Sequence, residues 1–397
     1  MNTCPACGMK NTELLFSLNI EEPVESKLYK DIVVRNCMTC SHLYNQISKT
    51  YKANISKQYR SQSAVGKSKL HREGRSSEFS QYKDIFDVVR QLVHDRSKLL
   101  DVGCGSGDFL KLMINSGVAD VHGIEVSPSL VSQINLDIGT ECALLADAEN
   151  LPYPDSIFDL VVIDQVLEHV FNPTKVIEEA SRVLKEDGYV IFGVPNRERY
   201  GEKLFFPYYE FLIKEHVHHF SQQSLQSISE RFRLQSIINY ERWTNYTGGD
   251  YEFPNLICVF QKSTSNVDEC TSKMKISYFN FKRYLEINET LTTSLESIIE
   301  RNLEFATEIY LWGASRELLF LLPKISQFSQ AAPVKIIDSD PEKRGFFESL
   351  GLPVLSPESL PSCTSHSTLL ITAVSHTRAI EKLCQNLGFR GTVVSLR

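Results

Sequence analysis

Long apolar runs are missing from this 397-residue chain, so no stretch is fit to span a bilayer. The first residues also lack the apolar centre of a secretory signal, and a cytoplasmic protein is expected. A basic field is missing too. Lys and Arg number 42 against 49 Asp and Glu, a net charge of -7, which argues against a nucleic-acid partner. Ten cysteines are present, but in a reducing cytosol they need not form disulfides. The dinucleotide-binding spacing G-x-G-x-x-G, which seats a pyrophosphate over a helix start, is absent where it would be sought. At this length two or three domains are expected, and a hydrophobic content of 42% is enough for real cores.

In place of that motif stands Leu99-Leu100-Asp101-Val102-Gly103-Cys104-Gly105-Ser106-Gly107-Asp108-Phe109-Leu110. An apolar β-type run ends in an acid, three glycines follow at alternate positions, and apolar residues then take helical spacing. Strand, tight turn and helix open a doubly wound α/β sheet. Bare backbone lets a ligand lie close. An acid at the strand end suits an ammonium better than a pyrophosphate, and S-adenosylmethionine carries an ammonium and no phosphate. Val121–Val126 reads as a second strand, with Glu125 placed to grip ribose hydroxyls. Ser127 and Pro128 follow as N-cap and first helical residue. Ala143–Ala146 is a third strand, followed by Asp147-Ala148, where the acid can accept from an adenine amino group. Phe158–Asp164 is a fourth, apolar enough for a buried parallel strand; Asp164, at its end, joins the expected cofactor-binding residues. Gln165-Val166-Leu167-Glu168-His169 comes next, at the ligand edge. Tyr189–Val194, Leu234–Tyr240 and Leu256–Phe260 complete seven strands, the last two as an antiparallel hairpin at the sheet's edge.

The glycine turn from Asp101 to Gly107, Glu125, Asp147-Ala148 and the segment Leu151–Asp159 together resemble class I S-adenosylmethionine-dependent methyltransferases. The resemblance implies that Asp101, Gly103, Gly105 and Gly107 hold the methionyl part of the cofactor, Glu125 its ribose, and Asp147 with Ala148 its adenine.

Upstream, Cys4-x-x-Cys7 and Cys37-x-x-Cys40 form two knuckles about 30 residues apart, the spacing of a closed, structural Zn²⁺ site. Four thiolates leave no position open for water, and the metal substitutes for a core that so short a segment cannot bury. Residues 46–80 are polar and read as a solvated connector; the alternative is a flap bringing a tyrosine such as Tyr59 to a pocket. Downstream of the fifth strand, Tyr208–Ser221 gathers three histidines, a glutamate and several aromatics. His216 is the candidate general base. Metal binding by His216, His218 and His219 is a weaker reading, and Ser221 is a candidate N-cap. Residues 263–275 read as a linker and 276–306 as a long helix with Leu291, Leu295, Ile298, Ile299 and Leu303 on one stripe, packing the last domain against the sheet domain. From 307 a second α/β unit starts, with Gly313-Ala314-Ser315 at its first turn. Nucleotide binding and a structural or dimerising role both remain open for it.

The expected architecture is therefore α/β: a zinc-binding N-terminal module with connector (1–75), a Rossmann-like seven-stranded S-adenosylmethionine methyltransferase domain (76–262), a linker and helix (263–306), and a small Rossmann-like domain (307–397). This three-part layout resembles the nucleotide-sugar C-methyltransferases of deoxysugar biosynthesis. That resemblance implies a nucleotide-linked keto-sugar substrate, His216 as base, Glu215 orienting the imidazole or bonding to substrate, and a part for Tyr59. It implies a monomer or homodimer acting without nucleic acid or membrane. Methylation at oxygen or nitrogen, an RNA methyltransferase, and a non-catalytic cofactor-binding scaffold are the alternatives.

Overall fold

The computed structural model describes residues 3–19, 31–60, 82–94, 96–118, 120–202, 215–244, 252–264, 279–328, 332–349, 351–362 and 365–396. The chain opens with three antiparallel strands: β1 (Thr12–Asn19), β2 (Asp31–Cys37) and β3 (Leu43–Asn45). Helix α1 (Lys49–Arg60) follows. Part of the polar stretch expected as a solvated connector is thus helical. Its signal is in the sequence: Tyr51 and Ile55 recur at helical spacing, and both are buried.

Helix α2 (Lys83–Leu92) leads into the central unit. Strands β4 (Lys98–Val102), β5 (Asp120–Glu125), β6 (Ala143–Leu145), β7 (Phe158–Asp164) and β8 (Leu184–Pro195) alternate with α3 (Asp108–Asn115), α4 (Pro128–Ile138) and α5 (Pro173–Val183). Two more strands, β10 (Leu234–Thr244) and β11 (Phe253–Lys262), are reached through β9 (His218–His219) and α6 (Gln222–Ser229). The seven-stranded sheet has the order β10-β11-β8-β7-β4-β5-β6. Pairs within β4–β8 are parallel, and β11 runs antiparallel to both β8 and β10. Leu160, Val161, Val162 and Ile163 of β7 are buried, as a strand covered on both faces requires. The order reverses between β4 and β7, so a crevice opens at their carboxyl ends. The α/β, Rossmann-like core expected from the sequence is the fold observed.

The N-terminal strands are not a separate lobe. Strand β9 pairs antiparallel with β3, Leu43 opposite His219 and Tyr44 opposite His218, making the fourth strand of the N-terminal sheet. Main-chain oxygens of the first knuckle accept from Thr174 Oγ1 and an Arg231 guanidinium N–H, each at 2.8 Å to Ala6. Buried Arg197 donates to the Ser41 oxygen at 2.7 Å. These contacts cross the boundary drawn at residue 75.

Helix α7 (Phe279–Leu303) joins the remaining parts. Its first turns, through Phe281, Tyr284 and Leu285, pack on Ile32, Val34, Leu43 and Tyr200. Its last turns, through Leu295, Ile299 and Leu303, enter the C-terminal core with Leu311, Leu318 and Leu321. That C-terminal unit holds β12 (Glu308–Trp312), α8 (Arg316–Phe328), β13 (Val334–Ile337), α9 (Pro341–Ser349), β14 (Val354–Leu355), β15 (Ser367–Ile371), α10 (Thr377–Asn386) and β16 (Thr392–Ser395). Its strands are all parallel, in the order β14-β13-β12-β15-β16. Gly313 turns at φ +124°, where a Cβ would sit 2.5 Å from Ala373. No described helix is long and apolar enough to cross a membrane.

Candidate active site

A cleft of ≈ 430 Å³ opens at the carboxyl ends of β4, β5 and β7. Gly103, Gly105, Glu125, Asp147 and Ala148 line it, as do Gln165, Val166, His169 and, from α1, Lys52, Ser56, Tyr59 and Arg60. Gly103 has φ +75°, and a Cβ there would stand 2.6 Å from Val166 Cγ2. Backbone without a side chain is required where the two walls meet. Glu125 is held by main-chain donors: Gly105 N at 3.1 Å to one oxygen, Val126 N at 2.9 Å and Ser127 N at 3.0 Å to the other. The glycine turn and the acid expected to bind ribose are therefore one hydrogen-bonded unit. Asp147 is exposed at the rim and steadied by the Glu149 N–H at 3.0 Å.

Three expected cofactor residues stand behind this wall. Asp101 is buried at 6% exposure, and burial, with Asp164 and Glu125 close by, pushes its carboxyl up to about 8. Gly107 is the left-handed N-cap of α3, against Ile134, and serves the turn rather than the cleft surface. Asp164 is engaged by buried Arg242 at 3.0 Å. Its expected place at the wall is taken by Gln165. That residue lies at φ +57°, a conformation costly for a non-glycine residue. The Gly193 oxygen accepts from its N–H at 2.7 Å, and Asn255 Oδ1 accepts from its side chain at 3.0 Å.

At the end of the cleft nearest α1, three segments converge. His169, in the turn after β7, has Nδ1 2.9 Å from both Tyr59 Oη and the Glu215 main-chain oxygen. The His216 ring stands edge-on to it, centroids 4.8 Å apart. Glu168 lies beneath, fully buried, with an oxygen 3.7 Å from His169 Nε2. Ligand-type atoms of Glu168, His169 and His216 all fall within 4.8 Å of one another. The structure thus brings Tyr59 and His216 into one cluster. Glu215 joins it through its carbonyl, and the imidazole it orients is His169. Sequence reasoning placed Glu168 and His169 at the ligand edge without giving them a part. Their position directly after a central parallel strand was the available signal.

His218 and His219 lie elsewhere. Burial pushes each down to about 3, so both are neutral. His218 Nδ1 is 3.0 Å from His42 Nε2, and its own Nε2 donates to the Val170 oxygen at 3.1 Å. Neither belongs to the two groups of potential metal-ligating side chains found among the described residues. Ser221 caps α6, accepting from Ser224 N at 3.2 Å. Residues 203–214, the first part of the histidine-bearing segment, lie outside the described residues.

Asn45 on β3 ties the N-terminal sheet to this cluster. Its side-chain amide donates to the His216 oxygen and its backbone N–H to the Val217 oxygen, each at 2.8 Å. Eight residues upstream of it on the chain begins the second cysteine knuckle. The four sulfurs of Cys4, Cys7, Cys37 and Cys40 lie within 4.8 Å of one another, with Cys4–Cys40 at 3.7 Å and Cys7–Cys37 at 3.5 Å. A tetrahedron with metal–sulfur bonds of about 2.3 Å has edges of about 3.8 Å, so the cluster has the dimensions of such a shell.

Residues 100–192 match the family model described as "Methyltransferase domain". An uncharacterized protein of Methanocaldococcus jannaschii is 32% identical over 124 residues, 31% of this chain and 57% of that protein. A ubiquinone biosynthesis O-methyltransferase of Neisseria meningitidis is 30% identical over 137 residues, 31% of this chain and 56% of that protein. A 27-O-demethylrifamycin SV methyltransferase of Amycolatopsis mediterranei is 35% identical over 102 residues, 24% of this chain and 38% of that protein. The chain thus spans about half the length, or less, of these curated relatives. The central unit carries a methyltransferase domain, and the N- and C-terminal units lie outside the matched residues.

Proposed function

We propose that this chain is an S-adenosylmethionine-dependent methyltransferase of a small molecule, and that it methylates carbon beside the keto group of a nucleotide-linked deoxysugar. The observation that carries the reading is the cluster of Tyr59, His169 and His216 at one end of a cleft whose other walls suit the cofactor. When bound, the cofactor supplies an electrophilic methyl group on a sulfonium. The glycine turn takes its methionyl part, with Asp101 buried close behind it, Glu125 the ribose, and Asp147 with Ala148 the adenine. His216 removes the proton next to the keto group. The enolate so formed is held in line with the methyl, and positioning of this kind supplies much of the rate. The cluster provides both a base and hydroxyl or N–H donors for the enolate oxygen. Zn²⁺ on the four cysteines is structural: it closes the knuckles that carry β3, and with it Asn45.

Methylation of a hydroxyl is the second reading, favoured by the names of the relatives. His216 would then deprotonate oxygen. Incubation with methyl-labelled cofactor and a panel of keto-deoxysugar nucleotides, with the label located by NMR, separates the two. The expected result is a new carbon–methyl bond, with cofactor binding intact and turnover abolished in His216→Ala. Label on oxygen, or full activity in that variant, refutes the carbon reading.

A further inference from the structure

Helix α1 forms one wall of the cleft, and its charge is of one sign. Its 12 residues include Lys49, Lys52, Lys57 and Arg60 and no acid. Lys52, Ser56 and Arg60 line the cleft in steps of four, one helical face, with Tyr59 beside them. The field is local, because the chain as a whole carries a net charge of -7.

The opposite wall has the other sign. Glu125, Asp147 and Glu149 line it. Main-chain N–H groups engage all three carboxylates: Glu125 and Asp147 as described above, and Glu149 by Phe171 N at 3.2 Å and Asn172 N at 2.9 Å. Among the described residues, neither Lys52 nor Arg60 makes an ion pair with these acids or with any other. The Lys52 ammonium stands over the Phe171 ring, 4.4 Å from its centroid, a contact that positions the charge without neutralising it.

The cofactor proposed above does not account for the basic wall. It has no phosphate, and its sulfonium and ammonium outweigh its one carboxylate. An acidic wall attracts such a cation and a basic wall repels it, so α1 faces an anionic partner. Lys52 and Arg60 stand about 12 Å apart along the helix axis, with the Ser56 hydroxyl between them. That spread suits an extended anion with several acceptor oxygens better than a single carboxylate. Arginine forks onto phosphate oxygens, lysine adds a point charge, and serine donates one O–H. Tyr59 shares this face, and its Oη is 2.9 Å from His169 Nδ1. A ligand lying along α1 therefore has one end at the histidine cluster.

We infer that Lys52, Ser56 and Arg60 are the binding site for the diphosphate of the substrate, which lies along α1 with its reacting end toward His169 and His216. The inference rests on the nucleotide-linked reading of the substrate. The two charged reactants then take opposite walls, each of the sign it needs.

Calorimetry on the full chain tests this, with S-adenosylhomocysteine bound so that no turnover occurs. The probes are inorganic pyrophosphate, uridine and thymidine diphosphates, the two parent nucleosides, and sulfate at matched ionic strength. Pyrophosphate and the nucleoside diphosphates bind, and the nucleosides and sulfate bind at least about tenfold more weakly. Lys52→Gln and Arg60→Gln each weaken diphosphate binding about tenfold, and Ser56→Ala weakens it less. Lys57→Gln removes the same charge from α1 at a position that does not line the cleft, and leaves diphosphate binding unchanged. Lys52, Lys57 and Arg60 are exposed, so these variants keep the wild-type Tm. With a keto-deoxysugar nucleotide, Lys52→Gln and Arg60→Gln raise its KM and keep most of kcat. Sulfate bound as tightly as pyrophosphate, or an equal loss in Lys57→Gln, overturns the inference, because α1 then attracts anions at large. Lost affinity for S-adenosylhomocysteine in Lys52→Gln or Arg60→Gln overturns it too, and gives these cations to the cofactor's carboxylate. Turnover of a keto-deoxysugar nucleotide with KM unchanged in both variants overturns it while leaving the substrate reading intact. Diphosphate binding that both variants lose, with no keto-deoxysugar nucleotide turned over, supports the site and refutes the carbon-methylation reading instead.

Discussion

Replacing Asn45 by Asp asks whether the N-terminal sheet holds the His216 imidazole in place. Asn45 is buried at 2% exposure, and its amide donates to the His216 oxygen at 2.8 Å. The substitution keeps the shape and turns the donor into an acceptor. The backbone bond from Asn45 to the Val217 oxygen survives, so the strand pairing should too. Losing a buried hydrogen bond while stranding its partner costs about 1–3 kcal/mol. If that cost falls on the placement of His216, kcat drops about 5- to 150-fold. The side of the cleft proposed for the cofactor is built from other residues, so the cofactor's Kd, read by calorimetry, is expected to stay unchanged. Asn45→Leu gives the same split without adding a charge. An unaltered kcat in either folded variant refutes the reasoning. So does a loss of kcat matched by an equal loss of cofactor affinity, which points to general damage.

Two further outcomes are expected. Asp101, pushed up to about 8, holds a proton at pH 7 in the unliganded chain and gives it up when an ammonium docks. Binding of S-adenosylmethionine at neutral pH should therefore release up to about one proton more from wild type than from Asp101→Asn, and wild-type affinity should tighten as pH rises toward 8. Calorimetry in buffers of different ionisation heat reads this, and the difference between the two proteins cancels the cofactor's own amine. Equal proton release refutes it. For the cysteine cluster, elemental analysis should find one Zn²⁺ per chain. Since a structural zinc site contributes about 10–16 kcal/mol to the fold it closes, Cys37→Ser should lower the Tm and cut turnover more than about tenfold. Full activity of metal-free protein would remove the metal from the account.

The half of the cleft proposed for the cofactor was legible because it is local in the chain. Asp101, the glycine turn and Glu125 occupy successive strand ends, and strand periodicity with glycine spacing marks them without reference to distant residues. The half proposed for the acceptor was only partly legible, because it is made by segments far apart in sequence. Tyr59 meets His169 across 110 positions, and Asn45 meets His216 across 171. Nothing periodic announces either meeting. Lys52, Ser56 and Arg60 lie four residues apart along α1 and face the cleft together, a helical repeat hidden in a polar stretch. Asp164 shows the converse. An acid at a strand end looks like a ligand, but Arg242, three strands away across the sheet, claims it.

The link between the cysteine cluster and the cleft wall is built from neutral groups, which bears on where pH dependence can arise. The Val170 oxygen can only accept, so His218 Nε2 carries a hydrogen. In a neutral ring its Nδ1 is then a lone pair, and His42 Nε2 must be the donor at 3.0 Å. Burial holds His218 down at about 3 and His42 well below its ordinary range. Both rings therefore keep one tautomer across the whole neutral range, and the wall at Val170 does not shift as pH changes there. Glu168 differs. Its carboxyl, near 8, changes charge inside that range and within 4.8 Å of the two imidazoles at the cleft's end. An alkaline limb in kcat with no matching change in cofactor affinity must therefore come from that cluster, and not from loosening of the sheet that supports it.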